Sequence, residues 1–357
     1  MKKKIILILP TAGGGGSEKV LINFANLLSN NFIVTLCFLN LEKIDYLNLI
    51  NKKIKIINLD KTNFRNSFFQ LSNIIKLNKY EYVFSSIFHI NIVSILIKIF
   101  TKNKFKLIIR ETNKIFNKRK DFIKFFLIFI FYRFANLIIS PSNLINKELE
   151  NFLINKRKIK LLNNPVLINK NNKLTKYQKK INFFLNRFKY IIILTRLEKH
   201  KNIEFLINCV AEANNTENLK LLIIGDGSQK KNLINKIRYK RLQNKVKIIN
   251  FTSNPFHFLK KSNLYFNCSY YEGQSNAVLE ALYFNIPVIS AKNGSHINFI
   301  KKYSFGHVFN KFDVSKVTKK ILKIINEKPK KISSKFYEEI DGTNIINKFI
   351  KLINNIY

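Results

Sequence analysis

Short, wholly apolar runs alternate along the chain with longer stretches in which apolar residues recur every three or four positions. Ile5 to Leu9 is one such run, of the kind a buried parallel strand shows. After Gly13 to Gly16 the residues Val20, Leu21, Phe24, Ala25 and Leu28 have helical spacing, and Ser17 is placed to cap that helix. Further strands are expected at Phe32 to Leu39, Ile54 to Leu59, Tyr82 to Ser85, Leu107 to Arg110 and Leu137 to Ser140, with helical stretches between several of them. This is a doubly wound α/β pattern.

The pattern breaks at a polar, lysine-rich stretch from Asn169 to Lys180, just after Asn163-Asn164-Pro165, and then restarts. Tyr190 to Leu194, Leu219 to Ile224, Val246 to Ile249, Leu264 to Asn267 and Val288 to Ser290 read as strands, separated by helices such as Ile203 to Ala213 and Ala277 to Tyr283. Two Rossmann-like halves follow, residues 1–167 and 168–335, with 336–357 as a C-terminal helix that packs back on the first half. A crevice between two such halves is where ligands are expected.

One stretch, Phe122 to Ile139, supports two readings. Phe125 to Tyr132 is continuously apolar and aromatic, too short to span a bilayer, and bracketed by Lys124 and Arg133. It is either a buried helix or an interfacial one, the latter because Lys114, Lys118, Arg119, Lys120 and Lys124 lie where anionic headgroups would sit.

Composition and charge change the picture at several points. At 357 residues and 46% hydrophobic, the chain can bury a core in each half. Lys2 to Lys4 precede only five apolar residues before Pro10, too short for a secretion signal, so a cytoplasmic protein is expected. Cys37, Cys209 and Cys268 are far apart with no C-x-x-C, so they suggest neither a disulfide framework nor a zinc site. The formal charge of +42 invites a nucleic-acid reading, but the lysines are spread over the whole length alongside excess Ile, Asn and Phe, and no nucleic-acid motif accompanies them. No specific nucleic-acid partner is expected. Attraction to an anionic membrane surface, at about 1 kcal/mol per Lys or Arg near the headgroups, is the milder use that remains.

Four segments carry candidate chemistry. Gly13 to Gly16, between a strand and a helix, lets backbone approach a ligand and aims helix N–H groups at an anion, although it is neither a dinucleotide fingerprint nor a P-loop. Gly225-Asp226-Gly227-Ser228 is a second turn between strand and helix. Thr195-Arg196-Leu197-Glu198-Lys199-His200-Lys201-Asn202 ends the first strand of the second half, and the fork of Arg196 with the point charge of Lys201 suits a diphosphate. In Tyr271-Glu272-Gly273-Gln274-Ser275-Asn276-Ala277-Val278-Leu279-Glu280-Ala281-Leu282, two glutamates are separated by seven residues in a chain with only 21 acids. The first lies in a loop, and the second sits on a helix that Ser275 is placed to cap. A carboxylate there can accept both hydroxyls of a ribose; the alternative is simply a helix with an acidic start.

In this order and spacing, Glu272 to Glu280 with Ala281-Leu282, Ile286-Pro287-Val288-Ile289-Ser290, Arg196, Lys201, Gly225-Asp226-Gly227 and the N-terminal Gly-Gly-Ser-Glu turn resemble glycosyltransferase family 4 over nearly the whole chain. The resemblance implies a retaining GT-B enzyme, two Rossmann-like domains facing across a cleft, acting on a UDP- or GDP-sugar. By it, Arg196 and Lys201 grip the donor diphosphate near Gly225, and Glu280 holds the ribose. Glu272 with the backbone of Gly273, Gln274, Ser275 and Asn276 meets the donor sugar, and Gly14, Gly15 and Gly16 face the phosphates from the other domain. His89, in Phe88-His89-Ile90-Asn91, matches the family's histidine near the reacting sugar, though a lone histidine is as often structural. Thr195 replaces the usual glycine before the arginine, Thr252-Ser253 stands where a glycine often lies near the base, and Lys292-Asn293-Gly294-Ser295-His296 lacks an acidic residue found in many relatives.

A departing nucleoside diphosphate gathers negative charge, which other transferases meet with a metal on D-x-D. This chain has no D-x-D, so Arg196, Lys201 and helix N-termini are expected to serve, with no metal and no cofactor. The resemblance and the basic apolar helix imply a glycan or lipid-linked acceptor of a bacterial cell-surface polysaccharide, at the inner face of the membrane. Two rivals stand beside this reading, a nucleotide-sugar epimerase of the same fold and a basic membrane- or nucleic-acid-binding protein with a decayed site.

Overall fold

The computed structural model describes residues 2–63, 65–101, 104–112, 122–152, 155–168, 188–213, 218–327 and 330–356. The linker Asn169 to Lys180 and the cations Lys114, Lys118, Arg119 and Lys120 lie outside these residues. The chain forms two compact units, Met1–Leu167 with Glu339–Tyr357, and Ile168–Glu338.

The first unit is a seven-stranded parallel sheet in the order β3-β2-β1-β4-β5-β6-β7. Its strands are β1 (Lys4–Leu9), β2 (Ile33–Phe38), β3 (Lys55–Asn58), β4 (Tyr82–Ser86), β5 (Lys106–Arg110), β6 (Leu137–Ser140) and β7 (Ile159–Leu161). The helices between them are α1 (Gly16–Leu28), α2 (Phe68–Asn78), α3 (Phe88–Phe100), α4 (Phe122–Phe131) and α5 (Asn143–Phe152). The runs are apolar because both sheet faces are covered: Ile6, Ile8, Val83, Leu107 and Ile109 belong to one core with α3 and α4. On the opposite face Phe24 of α1, Phe84 of β4 and Phe349 form an aromatic cluster with centroids 5.2 to 5.5 Å apart.

The second unit repeats the plan with six parallel strands in the order β10-β9-β8-β11-β12-β13. These are β8 (Lys189–Leu194), β9 (Leu219–Ile224), β10 (Val246–Ile249), β11 (Leu264–Asn267), β12 (Val288–Ala291) and β13 (Gly306–Phe309). Their helices are α6 (Ile203–Ala213), α7 (Lys230–Tyr239), α8 (Phe256–Lys260), α9 (Asn276–Tyr283), α10 (His296–Lys302) and α11 (Val314–Asn326). A short α12 (Ser334–Ile340) then leads to α13 (Gly342–Asn354), which carries Phe349 and packs on α1 in the first unit.

Strands β7 and β13 go beyond the sequence reading. Each is three or four residues long and interrupted by polar residues, as sheet edges allow. Two caps differ as well. The α1 helix starts at Gly16 with Gly15 as its cap rather than Ser17, and the Glu18 carboxylate folds back over Gly15. Ser275 does occupy the cap position of α9, but its hydroxyl makes no capping bond.

Helix α4 satisfies neither reading of its segment alone. Ile128 and the following Tyr132 are buried, whereas Ile123, Phe126 and Phe129 are 73%, 52% and 41% exposed. One side therefore joins the core, and the other presents large apolar side chains to solvent. No helix of the described residues is long and apolar enough to cross a membrane.

Candidate active site

In each sheet the strand order reverses once, and a doubly wound sheet is expected to bind its ligand at the carboxyl ends of the two strands flanking that reversal. In the second unit the reversal falls between β8 and β11. The chain leaving β8 carries Arg196 and Lys201, and the chain leaving β11 carries Glu272.

These two loops are joined by side chains. Lys201 Nζ donates to Glu272 Oε1 at 2.8 Å, with both side chains largely shielded, at 14% and 13% exposure. Ser269 Oγ donates to the same oxygen at 2.7 Å. Burial pushes the Glu272 carboxyl up, but the Lys201 ammonium beside it, with His296 and the Ser269 hydroxyl, outweighs burial and holds it below the usual carboxylate range. The backbone adds further ties: Tyr270 N–H donates to His200 O at 2.8 Å, and the Cys268 thiol donates to Lys201 O at 3.2 Å. The His200 and Tyr271 rings stack at 4.9 Å.

The loop from Glu272 to Ser275 rests on the segment after β12. Glu272 N–H donates to Asn293 O at 2.9 Å, and Gly273 O accepts from Ser295 N–H at 2.8 Å and its hydroxyl at 3.2 Å. A Cβ on Gly294 would meet the His296 ring at 2.8 Å and Gly273 O at 3.0 Å, so this glycine permits the close approach. His296 is buried beneath the loop. Its Nδ1 accepts from Ser275 N–H at 3.4 Å, while Nε2 lies 2.9 Å from Ser290 Oγ and 3.0 Å from Asn267 Nδ2. Burial lowers its pKa to about 4, against a pull upward from Glu272, so the ring is neutral at pH 7.

The remaining predicted residues take varied places. Arg196 is exposed and its side chain makes no hydrogen bond to another described residue, so its guanidinium is open to a ligand. Gly225 serves packing: at φ 154° its Cα faces Thr195 O, where a Cβ would lie 1.9 Å away, and Gly227 meets Leu197 O at 2.6 Å in the same way. Asp226 between them accepts from Lys230 Nζ at 2.7 Å and Phe251 N–H at 2.8 Å. Gln274 and Asn276 flank Ser275 at the start of α9, and Glu280 lies further along that helix at 5% exposure. Gly14, Gly15, Gly16 and His89 all belong to the first unit.

There the reversal falls between β1 and β4. Gly14 to Gly16 follow β1 and open α1, while His89 follows β4 as the second residue of α3, exposed. The residue joining β4 to α3, Ile87, has φ 80°, an outlier for a β-branched side chain. Among the described residues, no group of three or more His, Cys, Asp or Glu is arranged to hold a metal ion.

Sequence reasoning missed His296, Ser269 and Asn293. Single polar residues with no partner at a telling spacing carry no signal until the fold brings β11 and β12 together.

Residues 159–340, just over half of the chain, match the model of the family described as glycosyl transferases group 1. A 4-alpha-N-acetylgalactosaminyltransferase of Campylobacter jejuni, named for the acceptor N-acetylgalactosamine-N,N'-diacetylbacillosaminyl-diphospho-undecaprenol, is 28% identical over 82% of this chain and 82% of its own. An uncharacterized glycosyltransferase of Methanocaldococcus jannaschii is 38% identical over 45% of this chain and 40% of its own. In fold, the chain is similar to Anabaena HepE, solved with UDP and glucose, at a TM-score of 0.82 and 15% identity over 99% of this chain and 100% of that one. The two doubly wound sheets are thus those of the GT-B fold.

Proposed function

The chain belongs to the glycosyl transferases group 1 family, and from that premise we propose that it moves a sugar from a UDP- or GDP-sugar to a lipid-linked glycan acceptor, with retention of anomeric configuration and without a metal. The observation that carries this reading is the Lys201–Glu272 pair at the strand reversal of the second unit, beside the unengaged Arg196.

In this reading the bond between the anomeric carbon and the diphosphate breaks, and the nucleoside diphosphate leaves with the electron pair. The acceptor hydroxyl bonds to the same face of that carbon, and its proton passes to the departing phosphate oxygen. Arg196 and Lys201 neutralise the charge that gathers on the diphosphate. An ammonium has three N–H donors, so Lys201 keeps two for phosphate while it holds Glu272. Glu272, kept ionised, faces the positive charge on the sugar ring, with the backbone of Gly273 to Asn276 against the sugar hydroxyls. Glu280 accepts from the ribose. Gly14 to Gly16 and His89 serve from the first unit, on the acceptor side.

The Campylobacter relative's diphospho-undecaprenol acceptor supports a lipid-linked acceptor here. The exposed Ile123, Phe126 and Phe129 of α4 support peripheral attachment to the cytoplasmic face of a membrane, where apolar side chains enter the acyl boundary. Replacing Phe126 and Phe129 by Ser should release the protein from anionic vesicles and spare transfer to a soluble acceptor; unchanged vesicle binding removes this part of the proposal.

Transfer in EDTA tests the rest. Activity is expected to survive chelation, and proton NMR of the first-formed product should show the donor's anomeric configuration. Complete loss in EDTA with recovery on adding Mg²⁺ would refute the charge assignment, and an inverted product would refute front-face attack.

A further inference from the structure

At the opposite, amino-terminal edge of the second sheet lies a cavity of about 370 Å³, within the size range of small-molecule sites. Lys189 opens β8, and with six strand residues at about 3.3 Å each between the two edges, the cavity stands about 20 Å from the Lys201–Glu272 pair. It is part of neither the donor chemistry nor the first unit.

Its lining has two characters. Phe305, Pro287 and Ile324 supply an apolar wall. Lys189, Lys320 and Lys323 line the same cavity, as does His307 of β13. Some lysines of this unit pair with acids, as Lys230 does with Asp226 and Lys236 with Glu204. The side chains of Lys189, Lys320 and Lys323 have no ion pair or hydrogen bond to a described residue, and Glu327 is the single acid among the residues lining the cavity. Lys320 and Lys323 stand one helical turn apart on α11, so their like charges repel each other. His307 feels the same field: burial first, then Lys320, lowers its pKa, leaving a neutral ring that can donate or accept a hydrogen bond.

We propose that this cavity binds a small organic phosphate, with the phosphoryl group held by Lys189, Lys320, Lys323 and His307 and the apolar body against Phe305, Pro287 and Ile324. A cavity that combines apolar residues with lysines fits an amphiphilic anion better than a bare inorganic ion, which leaves the apolar residues unused. It also fits such a ligand better than a polynucleotide, which needs an extended basic track. The inference does not depend on the sugar-transfer reading.

Calorimetric titration at physiological salt tests it with two probes, phenyl phosphate and inorganic phosphate. Phenyl phosphate is expected to saturate a single site and to bind about tenfold more tightly than inorganic phosphate. Lys320→Glu with Lys323→Glu should weaken it by tenfold or more, whereas Lys231→Glu with Lys240→Glu, exposed on α7 and just after it in the same unit, should change it less than twofold. Lys320→Gln with Lys323→Gln replaces the reversed pair if that pair unfolds. Nucleoside diphosphate binding should persist in all three variants. Absence of saturable binding, equal affinity for the two probes, or insensitivity to Lys320 and Lys323 overturns the proposal. Equal loss from both reversed pairs also overturns it, and assigns the effect to the chain's overall charge.

Discussion

The two strand reversals are built alike and furnished differently. In the second unit, the loops leaving β8 and β11 are locked by charge: a shielded lysine and glutamate in contact, a serine on the same carboxylate, and a neutral histidine beneath. In the first unit, the loops leaving β1 and β4 offer glycine backbone and an exposed histidine, and the buried polar groups lie under β4 and β5 instead. There Tyr132 Oη donates to Glu111 Oε2 at 2.6 Å, and Asn91 Nδ2 donates to Arg110 O at 3.1 Å and to Tyr132 Oη at 3.2 Å, with Ser85 on the Asn91 carbonyl. Arg110, pulled down to about 10 by burial against the upward pull of Glu111, donates to Asn164. Charge fixed in advance is what a developing leaving-group charge requires, because no reorganisation is then needed during reaction. The second unit holds such charge at its crevice; the first uses its buried charge to hold its own loops and helix α4.

The sharpest break in that comparison is Lys201→Ala, which leaves Glu272 shielded without its partner. A loss of about 3 kcal/mol in urea unfolding is expected, with transfer reduced more than a hundredfold. Lys201→Met combined with Glu272→Gln should recover most of the stability and none of the activity. If the single variant costs under about 1 kcal/mol, the pair is no more than a surface contact and the contrast between the units fails.

The next effect is carried by pH. His296 has a folded pKa of about 4 against 6.5 for a free imidazole, so the unfolded chain binds more protons between those values. Its contribution is fully present above about pH 6.5 and is lost as pH falls towards 4, by about 3 kcal/mol in all. Urea midpoints at pH 7 and pH 5 should therefore differ more in the parent than in His296→Gln. Equal pH dependence would mean that the imidazole is not the buried neutral group on which the Gly273 loop rests.

His296 also marks what could be read without coordinates. A strand beside each reversal was legible because β1 and β8 carry long apolar runs, and the two glutamates were legible because acids are scarce in this chain. The role of Gly225 was not, since a glycine that admits a phosphate and one that admits the Thr195 carbonyl look the same in one dimension. The disposition of α4 was illegible for another reason: with Ile123, Phe126, Ile128 and Phe129 all apolar, no period distinguishes the core side from the exposed one. Ser17 stands inside the first turn of α1, one residue past its start, a shift within the uncertainty with which sequence places a helix end.

Within the second unit the two glutamates should separate. Glu280→Gln removes a charge-assisted acceptor worth roughly 1.5 to 3 kcal/mol, so nucleoside diphosphate affinity should fall about ten- to a hundredfold. Glu272→Gln should leave that affinity nearly unchanged and lower turnover of the intact donor. Equal losses of nucleotide binding in both variants would mean that the carboxylates do not contact different parts of one donor.

The smallest effect on stability belongs to the first unit. His89 is exposed at the start of α3, and its ring lies 5.2 Å from that of Phe88, so His89→Ala should change unfolding free energy by no more than about 0.5 kcal/mol. Asn91→Ala, two residues on, is the internal control. Its amide serves Arg110, Tyr132 and Ser85 at once, so its removal leaves buried groups unpaired and should cost about 2 kcal/mol. If His89 acts on the reacting sugar, its loss should lower kcat about tenfold or more while nucleoside diphosphate still binds as before, since His89 is not among the residues proposed to hold the nucleotide. The backbone supports that direction: Ile87 is held at φ 80° immediately before the helix, and strain of this kind persists where the surrounding structure fixes a residue for use. An unchanged kcat in His89→Ala would leave the first crevice with glycine backbone alone, and the acceptor hydroxyl would have to be positioned without it.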